Sequence, residues 1–176
     1  MNVFVISCSL NPESNSFMLA QRAIDDLRAA AAEAHLVDLR EHPMPMCDGQ
    51  TCTNASVEEL THRIAAADAI VLAVPIYNFD ANAAAKNLIE HTGDAWEGKV
   101  VGFLAAAGGH SSYMSVMPLA NSLMLDFRCL IVPRFVYATR GDFGDGGQIA
   151  SEKIAGRVKQ LVGETLRIAG AMRASA

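Results

Sequence analysis

Two short runs, AIVLAV (residues 69–74) and VVGFLAA (residues 100–106), contain no charged or hydrogen-bonding side chain. A strand with one wet face alternates apolar and polar residues, whereas a strand covered on both faces reads as a continuous apolar run. These two segments therefore belong inside a sheet that has a layer packed on each side. Residues 3–6 form a third such run, short and rich in β-branched side chains.

The covering layers are written between these runs. Over residues 14–31, Phe17, Ala20, Ile24, Leu27 and Ala31 fall on one helical face. Ser56 is placed to cap a second helix, with Glu59 as its capping-box partner and Val57, Leu60, Ile64 and Ala67 facing inward. Helical spacing recurs near residues 82–91, then through Tyr113, Val116, Ala120, Leu123 and Phe127, and finally through Ile154, Val158, Leu161, Thr165 and Ile168. Residues 36–39 and 130–137 complete a set of five strands. Residues 40–55, with Pro43, Pro45, Gly49 and two cysteines, read as a long loop.

Strands alternating with helices predict an α/β fold, a doubly wound parallel sheet with helices on both faces. Pro133 lies inside the fifth strand, where its missing N–H suits a sheet edge. That fits the five-stranded flavodoxin-like order 2-1-3-4-5, in which strand five is an edge. No linker or shift in composition divides the chain, so one domain over residues 1–176 is expected.

Composition narrows the class of partner. The net charge of −5 and the lack of any basic run argue against a nucleic-acid surface. No stretch approaches the ~20 apolar residues of a membrane span, and no basic leader precedes the first apolar run. A soluble cytoplasmic protein is the expectation. Cys8, Cys47, Cys52 and Cys129 are too few and too scattered for a disulfide scaffold.

Open parallel sheets bind ligands beyond the carboxyl ends of their strands, where the strand order reverses. In the order 2-1-3-4-5 that point lies between strands one and three. The connections there are SCSLNPESNS (residues 7–16) and PIYNFDAN (residues 75–82), with GGHSS (residues 108–112) alongside. The first has no Lys or Arg but many small hydroxyls, and it opens a helix. A helix N-terminus offers unpaired N–H groups and partial positive charge, which suits a phosphate without any cation. Ser9, Ser14, Asn15 and Ser16 could complete that shell; plain helix capping is the alternative. Pro75, Ile76, Tyr77 and Asn78 carry no charge and suit backbone contacts to a flat heterocycle, with Tyr77 over one face. Gly108 and Gly109 permit a ligand to approach the backbone closely.

Several activities lack their residues. A phosphorylated receiver domain needs acidic residues after strands one and three, where this chain has Ser-Cys-Ser and Pro-Ile-Tyr. There is no G-x-x-x-x-G-K-[ST] loop, no G-x-G-x-x-G after the first strand and no G-x-S-x-G elbow. The glycines of GDFGDGG come too late for a dinucleotide fingerprint.

Over nearly its full length the chain resembles the NAD(P)H-dependent FMN reductase family of flavodoxin-like proteins. The family's phosphate loop has the form S-x-R-x-x-S-N-[ST], and residues 9–16 match it with Asn11 in place of the arginine. Its second signature, P-x-Y-N followed by K-N, is matched by residues 75–78 with Lys86 and Asn87, and its Gly-Gly turn by Gly108 and Gly109. The family's usual Pro-Gly before the third helix is replaced by Phe79, Asp80, Ala81 and Asn82.

The resemblance implies bound FMN, with NADPH or NADH as reductant and a small-molecule electron acceptor. Ser9, Ser14, Asn15 and Ser16 would lie at the FMN phosphate, with Asn11 at the arginine's position. Pro75, Ile76, Tyr77 and Asn78 would lie along the ribityl chain and ring edge, and Gly108, Gly109 and His110 near the ring. It further implies a homodimer or homotetramer. The alternative is an FMN-binding electron carrier that does not react with nicotinamides, and a third is a scaffold that binds no flavin.

Flavin chemistry requires no acid–base dyad from the protein, so no catalytic side chain is assigned, His110 being the one candidate. Tyr113 reads as a packing residue. Cys47 and Cys52 have C-x4-C spacing with His42 nearby, but no second ligand pair accompanies them and no metal site is assigned. A redox pair or a plain loop both remain open for these two cysteines. Cys8 and Cys129 are expected to be buried.

Overall fold

The computed structural model describes residues 1–50 and 54–174. Strands β1 (Asn2–Ser7), β2 (Glu33–Asp38), β3 (Ala69–Tyr77), β4 (Asp80–Ala81), β5 (Val100–Ala107), β6 (Leu130–Ile131) and β7 (Val136–Thr139) alternate with helices. The helices are α1 (Asn15–Ala29), α2 (Ala55–Ala66), α3 (Ala83–Thr92), α4 (Met117–Phe127) and α5 (Glu152–Ala174).

The parallel sheet runs β2-β1-β3-β5, and β6 and β7 share the position beyond β5. Leu130 and Ile131 pair with Val100 and Val101, while Val136 to Thr139 pair with Leu104 to Ala107. The single fifth strand expected from the sequence is therefore two short ones. Pro133 has no N–H to donate, and Arg134 takes a left-handed φ of 61°, so the ladder lapses between them. Its edge position is as expected. The seventh segment, β4, folds back antiparallel on β3, pairing Ile76 with Ala81 and Tyr77 with Asp80. Its two-residue turn puts Asn78 at φ 51° and Phe79 at φ 65°, the positive pair that a tight hairpin requires.

Alternation along β1 shows why both faces are covered. Val3 and Val5 join Leu19, Ile24 and Leu27 of α1 and Val158 and Leu161 of α5 in one cluster. Phe4 and Ile6 join Leu60 and Ile64 of α2, Leu88 of α3 and Leu123 of α4 in the other. Side chains of this size each contribute about 1.5–3 kcal/mol when fully buried. Gly102 of β5 lets α5 come close, since a Cβ there would stand 3.2 Å from the Thr165 hydroxyl.

Several boundaries differ from expectation: β2 runs from Glu33 to Asp38 rather than over residues 36–39, and α1 ends at Ala29, leaving Ala31 beyond it at φ 58°. The cap of α2 is Asn54, whose Oδ1 accepts from the N–H groups of Ser56 (2.9 Å) and Val57 (3.2 Å), so Ser56 already lies within the helix. Likewise α4 begins only at Met117, leaving Tyr113 in the turn before it. There its ring stacks on Phe135 at 4.9 Å and meets Tyr137 edge-on at 5.4 Å. No helix among the described residues is long and apolar enough to cross a membrane.

Candidate functional site

The β1–α1 connection organises itself before any ligand is considered. Ser9 Oγ accepts from the Asn11 N–H (3.2 Å), and Asn11 Oδ1 accepts from the Glu13 N–H (3.0 Å), so two consecutive side-chain turns shape the loop. Ser14 caps α1 by accepting from the Phe17 N–H (3.2 Å), and its hydroxyl also lies 2.9 Å from that of Ser16. Ser9, Ser14 and Ser16 are all buried. The first N–H groups of α1, from Asn15 onward, have no acceptor within the helix and give this end its partial positive charge.

Arg40 braces the loop from outside. It pairs with Asp38 through Nε (2.8 Å) and Nη2, donates to the Pro12 carbonyl (3.1 Å) and lies 4.9 Å from the centroid of the Phe17 ring. The Asp38 hydrogen bonds hold its guanidinium more firmly charged than usual. Beneath the loop, the Cys8 thiol is buried, and that burial, reinforced by the Asp38 charge, drives its pKa far upward. A protonated thiol there is inert.

The second connection is tied to the first by one residue. Asn82 donates from its backbone to the Pro75 carbonyl (3.1 Å) and from Nδ2 to the Cys8 carbonyl (2.7 Å). The exits of β1 and β3 are thereby fixed to the start of α3. Tyr77 and Phe79 flank this hairpin and are exposed.

The third connection follows β5. The Tyr137 hydroxyl of β7 donates to the Gly109 carbonyl at 2.5 Å, anchoring the glycine turn to the neighbouring strand. Thr139 ends β7 and forms a capping box with Asp142, whose carboxylate accepts from the Thr139 N–H (2.8 Å) and hydroxyl (3.0 Å). Burial alone would raise the Asp142 carboxyl. Hydrogen bonds from Thr139 and the Ser151 hydroxyl, with the charge of His110, outweigh it and hold the group below its ordinary range.

These three connections enclose one cavity of about 550 Å³, lined by Ser9, Asn11, Ser14, Asn15, Ser16, Pro75, Ile76, Tyr77, Asn78 and Gly108. Ten of the expected site residues thus meet in one place, at the carboxyl ends of β1, β3 and β5. Gly109 and His110 stand further along the rim, outside that lining. Glu13, Ala106, Ala107 and Arg140 also line the cavity and were not anticipated. The two alanines are simply the last residues of β5. Arg140 comes from the far side of the sheet, and no spacing in the sequence links it to residues 9–16.

Elsewhere, Asn87 of α3 pins the segment after β2, accepting from the Cys47 N–H (2.8 Å) and donating to the Pro45 carbonyl (2.9 Å). Together with α2, this segment borders a second cavity of about 530 Å³, lined by Cys47, Gln50, Val57, Glu58, Thr61, His62, Glu90 and His91. Among the described residues no cluster of three His, Cys, Asp or Glu is placed to hold a metal ion. Cys52, and with it the relation to Cys47 raised by their spacing, lies outside the described residues. Cys129 is buried, which pushes its thiol up to about 11.

Comparison with known proteins gives the chain its relatives. The model of a family described as NADPH-dependent FMN reductase matches residues 1–143. An NAD(P)H-dependent FAD/FMN reductase of Geobacillus thermodenitrificans (strain NG80-2) is 25% identical, over 96% of this chain and 93% of the relative. An FMN-dependent NADH:quinone oxidoreductase of Alcanivorax borkumensis (strain ATCC 700651 / DSM 11573 / NCIMB 13689 / SK2) is 30% identical, over 82% and 91% respectively. Among solved structures, FerB, a flavoenzyme NAD(P)H:(acceptor) oxidoreductase from Paracoccus denitrificans, superposes with a TM-score of 0.79. It covers 97% of both chains at 19% identity, a likeness of fold.

Proposed function

The chain belongs to the NADPH-dependent FMN reductase family, and on that footing we propose that it binds FMN in the cavity at the strand ends. There it passes hydride from NADPH or NADH to the flavin, and the electrons onward to a flavin, a quinone or a similar acceptor. One observation carries the assignment: connections from three strands converge on one cavity that has a hydroxyl-rich helix N-terminus at one end and an uncharged peptide segment at the other.

The residues present suit the group. A phosphate needs several hydrogen-bond donors around its oxygens, and hydroxyls at Ser9, Ser14 and Ser16 with the N–H groups of Asn15 and Ser16 form such a set. The volume falls within the ~300–1,000 Å³ typical of small-molecule sites. When bound, the flavin supplies the hydride-accepting and electron-releasing chemistry. The protein orients it and keeps water from one face. Pro75, Ile76, Tyr77 and Asn78 offer main-chain groups along an edge, with the β3–β4 hairpin holding their peptide planes in place. Asn82 keeps that edge in register with the phosphate end. His110 and Gly109 lie outside the lining, further along the rim, and a nicotinamide or acceptor would enter beside them.

The test is a visible spectrum of the purified protein, followed by titration with FMN, FAD and riboflavin. Tighter binding of FMN than of riboflavin is expected, with oxidation of NADPH or NADH once an acceptor is added. Binding without nicotinamide oxidation, whatever the acceptor, would leave a carrier instead.

A further inference from the structure

An FMN phosphate brings nearly two negative charges, and the loop proposed to receive it has no cation. Position 11, where the related motif has an arginine, is asparagine, and its Oδ1 is already committed to the Glu13 N–H. Glu13 adds a carboxylate to the cavity lining. Arg40 stands near the loop but is neutralised by Asp38, and it is absent from the lining. The only cationic side chain among the residues lining the cavity is Arg140.

Its placement is built by the fold. Ala138 and Thr139 pair with Ala106 and Ala107, so Arg140 leaves β7 directly beside the start of the third connection. The capping box between Thr139 and Asp142 fixes the turn Arg140–Asp142 at that point. The nearest acid in sequence, Asp142, is engaged by Thr139 and Ser151, and no carboxylate is ion-paired with Arg140 among the described residues. The chain then crosses toward α1. At Gly147 it passes the first turn of that helix, where an added Cβ would lie 3.9 Å from the Met18 side chain. The segment that begins with Arg140 thus spans from the β5 rim to the helix that carries the serine cradle.

We propose that Arg140 supplies the charged contact to the FMN phosphate, delivered from the end of β7 rather than from the β1 loop. The inference rests on the cavity being the FMN site. It makes the guanidinium a determinant of phosphate recognition, distinct from any contact to the ring. Riboflavin, which shares the ring and ribityl chain but has no phosphate, isolates the effect.

The experiment is a titration of the full chain with FMN and with riboflavin, followed by quenching of flavin fluorescence, for the unmodified protein, Arg140→Gln, Arg140→Lys and the double variant Asn11→Arg with Arg140→Gln. Arg140 is exposed, so an unchanged melting temperature is expected for Arg140→Gln. Loss of a hydrogen bond to a charged group predicts FMN binding about 10- to 100-fold weaker in Arg140→Gln, with riboflavin binding unaltered. Arg140→Lys recovers part of the loss, because the charge persists without the planar fork. The double variant restores the preference by returning a cation to the β1 loop, and added salt weakens FMN binding less in Arg140→Gln than in the unmodified chain. An unmodified chain that binds FMN no better than riboflavin would overturn both the cradle and the arginine's part in it. A preference for FMN that persists in Arg140→Gln overturns the arginine's part alone. So does equal weakening of both flavins, or an effect confined to NADPH over NADH.

Discussion

The two cavities are nearly equal in size, about 550 and 530 Å³, and opposite in construction. The first sits where parallel strands end, and its walls are connections that include the start of α1, whose leading N–H groups have no acceptor within the helix. The second lies between α2, α3 and the segment after β2, walled largely by helix surface and bearing Glu58 and Glu90. Backbone groups inside a helix are paired, and the N–H groups of Cys47 and Val57 are held by Asn87 and Asn54, so such a wall recognises ligands mainly by side chains. Size therefore does not separate the two; the supply of unpaired donors does.

Each cavity also has an asparagine that stitches its walls. Asn82 joins Cys8 to Pro75 at the first, and Asn87 joins Cys47 to Pro45 at the second. The contrast can be tested in three steps of decreasing effect.

Ser14→Asp probes it most severely. Aspartate caps a helix as well as serine, so α1 should survive, but a carboxylate then faces the phosphate position. At an effective dielectric near 20 that repulsion costs about 4 kcal/mol at 4 Å, so FMN binding should weaken by at least ~100-fold while riboflavin binding changes little. Thr61→Asp places the same charge in the second cavity and should leave FMN titrations unchanged. A comparable loss in both variants would mean that the first cavity is not the phosphate site.

Asn82→Ala and Asn87→Ala come next. Asn82→Ala removes the bond to the Cys8 carbonyl and keeps the backbone bond to Pro75, Asn87→Ala removes two side-chain bonds, and each should lower stability by about 1–3 kcal/mol in urea unfolding. Only the first should also weaken FMN binding, since only the first fixes the cradle against the β3 exit. Equal effects on FMN would erase the distinction between the two stitches.

The smallest effect is a matter of pH. The folded Asp142 carboxyl titrates below its ordinary range, so it contributes stability that is fully present above the ordinary value of about 3.9 and lost as pH falls through the lower folded value. Asp142→Asn should thus be less stable than the unmodified chain at neutral pH. The gap should narrow on acidification below about pH 4, read from unfolding curves across pH. A gap of constant size would show that the carboxylate's charge has no part in holding the turn after β7.

Much of this was legible from the sequence because it depends on local pattern. The apolar runs located β1, β3 and β5, and the strand order followed from alternation and from Pro133. Nine lining residues followed from the rule that places ligands at strand ends, and a tenth, Asn11, from the family resemblance. What escaped depends on competition or on distance along the chain. Asn54 and Ser56 are both good caps two residues apart, and only packing decides which begins α2. The β3–β4 hairpin was hidden because its turn uses Phe79 at positive φ, where glycine is the usual signal. Arg140 lies more than 120 residues from the serine loop, and only the closure of β7 onto β5 brings it to the same cavity.

The interruption of the outer strand at Pro133 and Arg134 has a consequence for how copies of this chain can meet. A continuous, flat strand on a sheet's rim is a template on which another copy can add its own strand. Here the rim offers two short segments, of two and four residues, separated by a stretch that includes a residue without an N–H and a left-handed one. At the opposite rim β2 presents Glu33 and His35, both exposed and polar. Neither rim favours growth of the sheet from molecule to molecule, so any association between copies would be made through helices and loops rather than through either sheet edge.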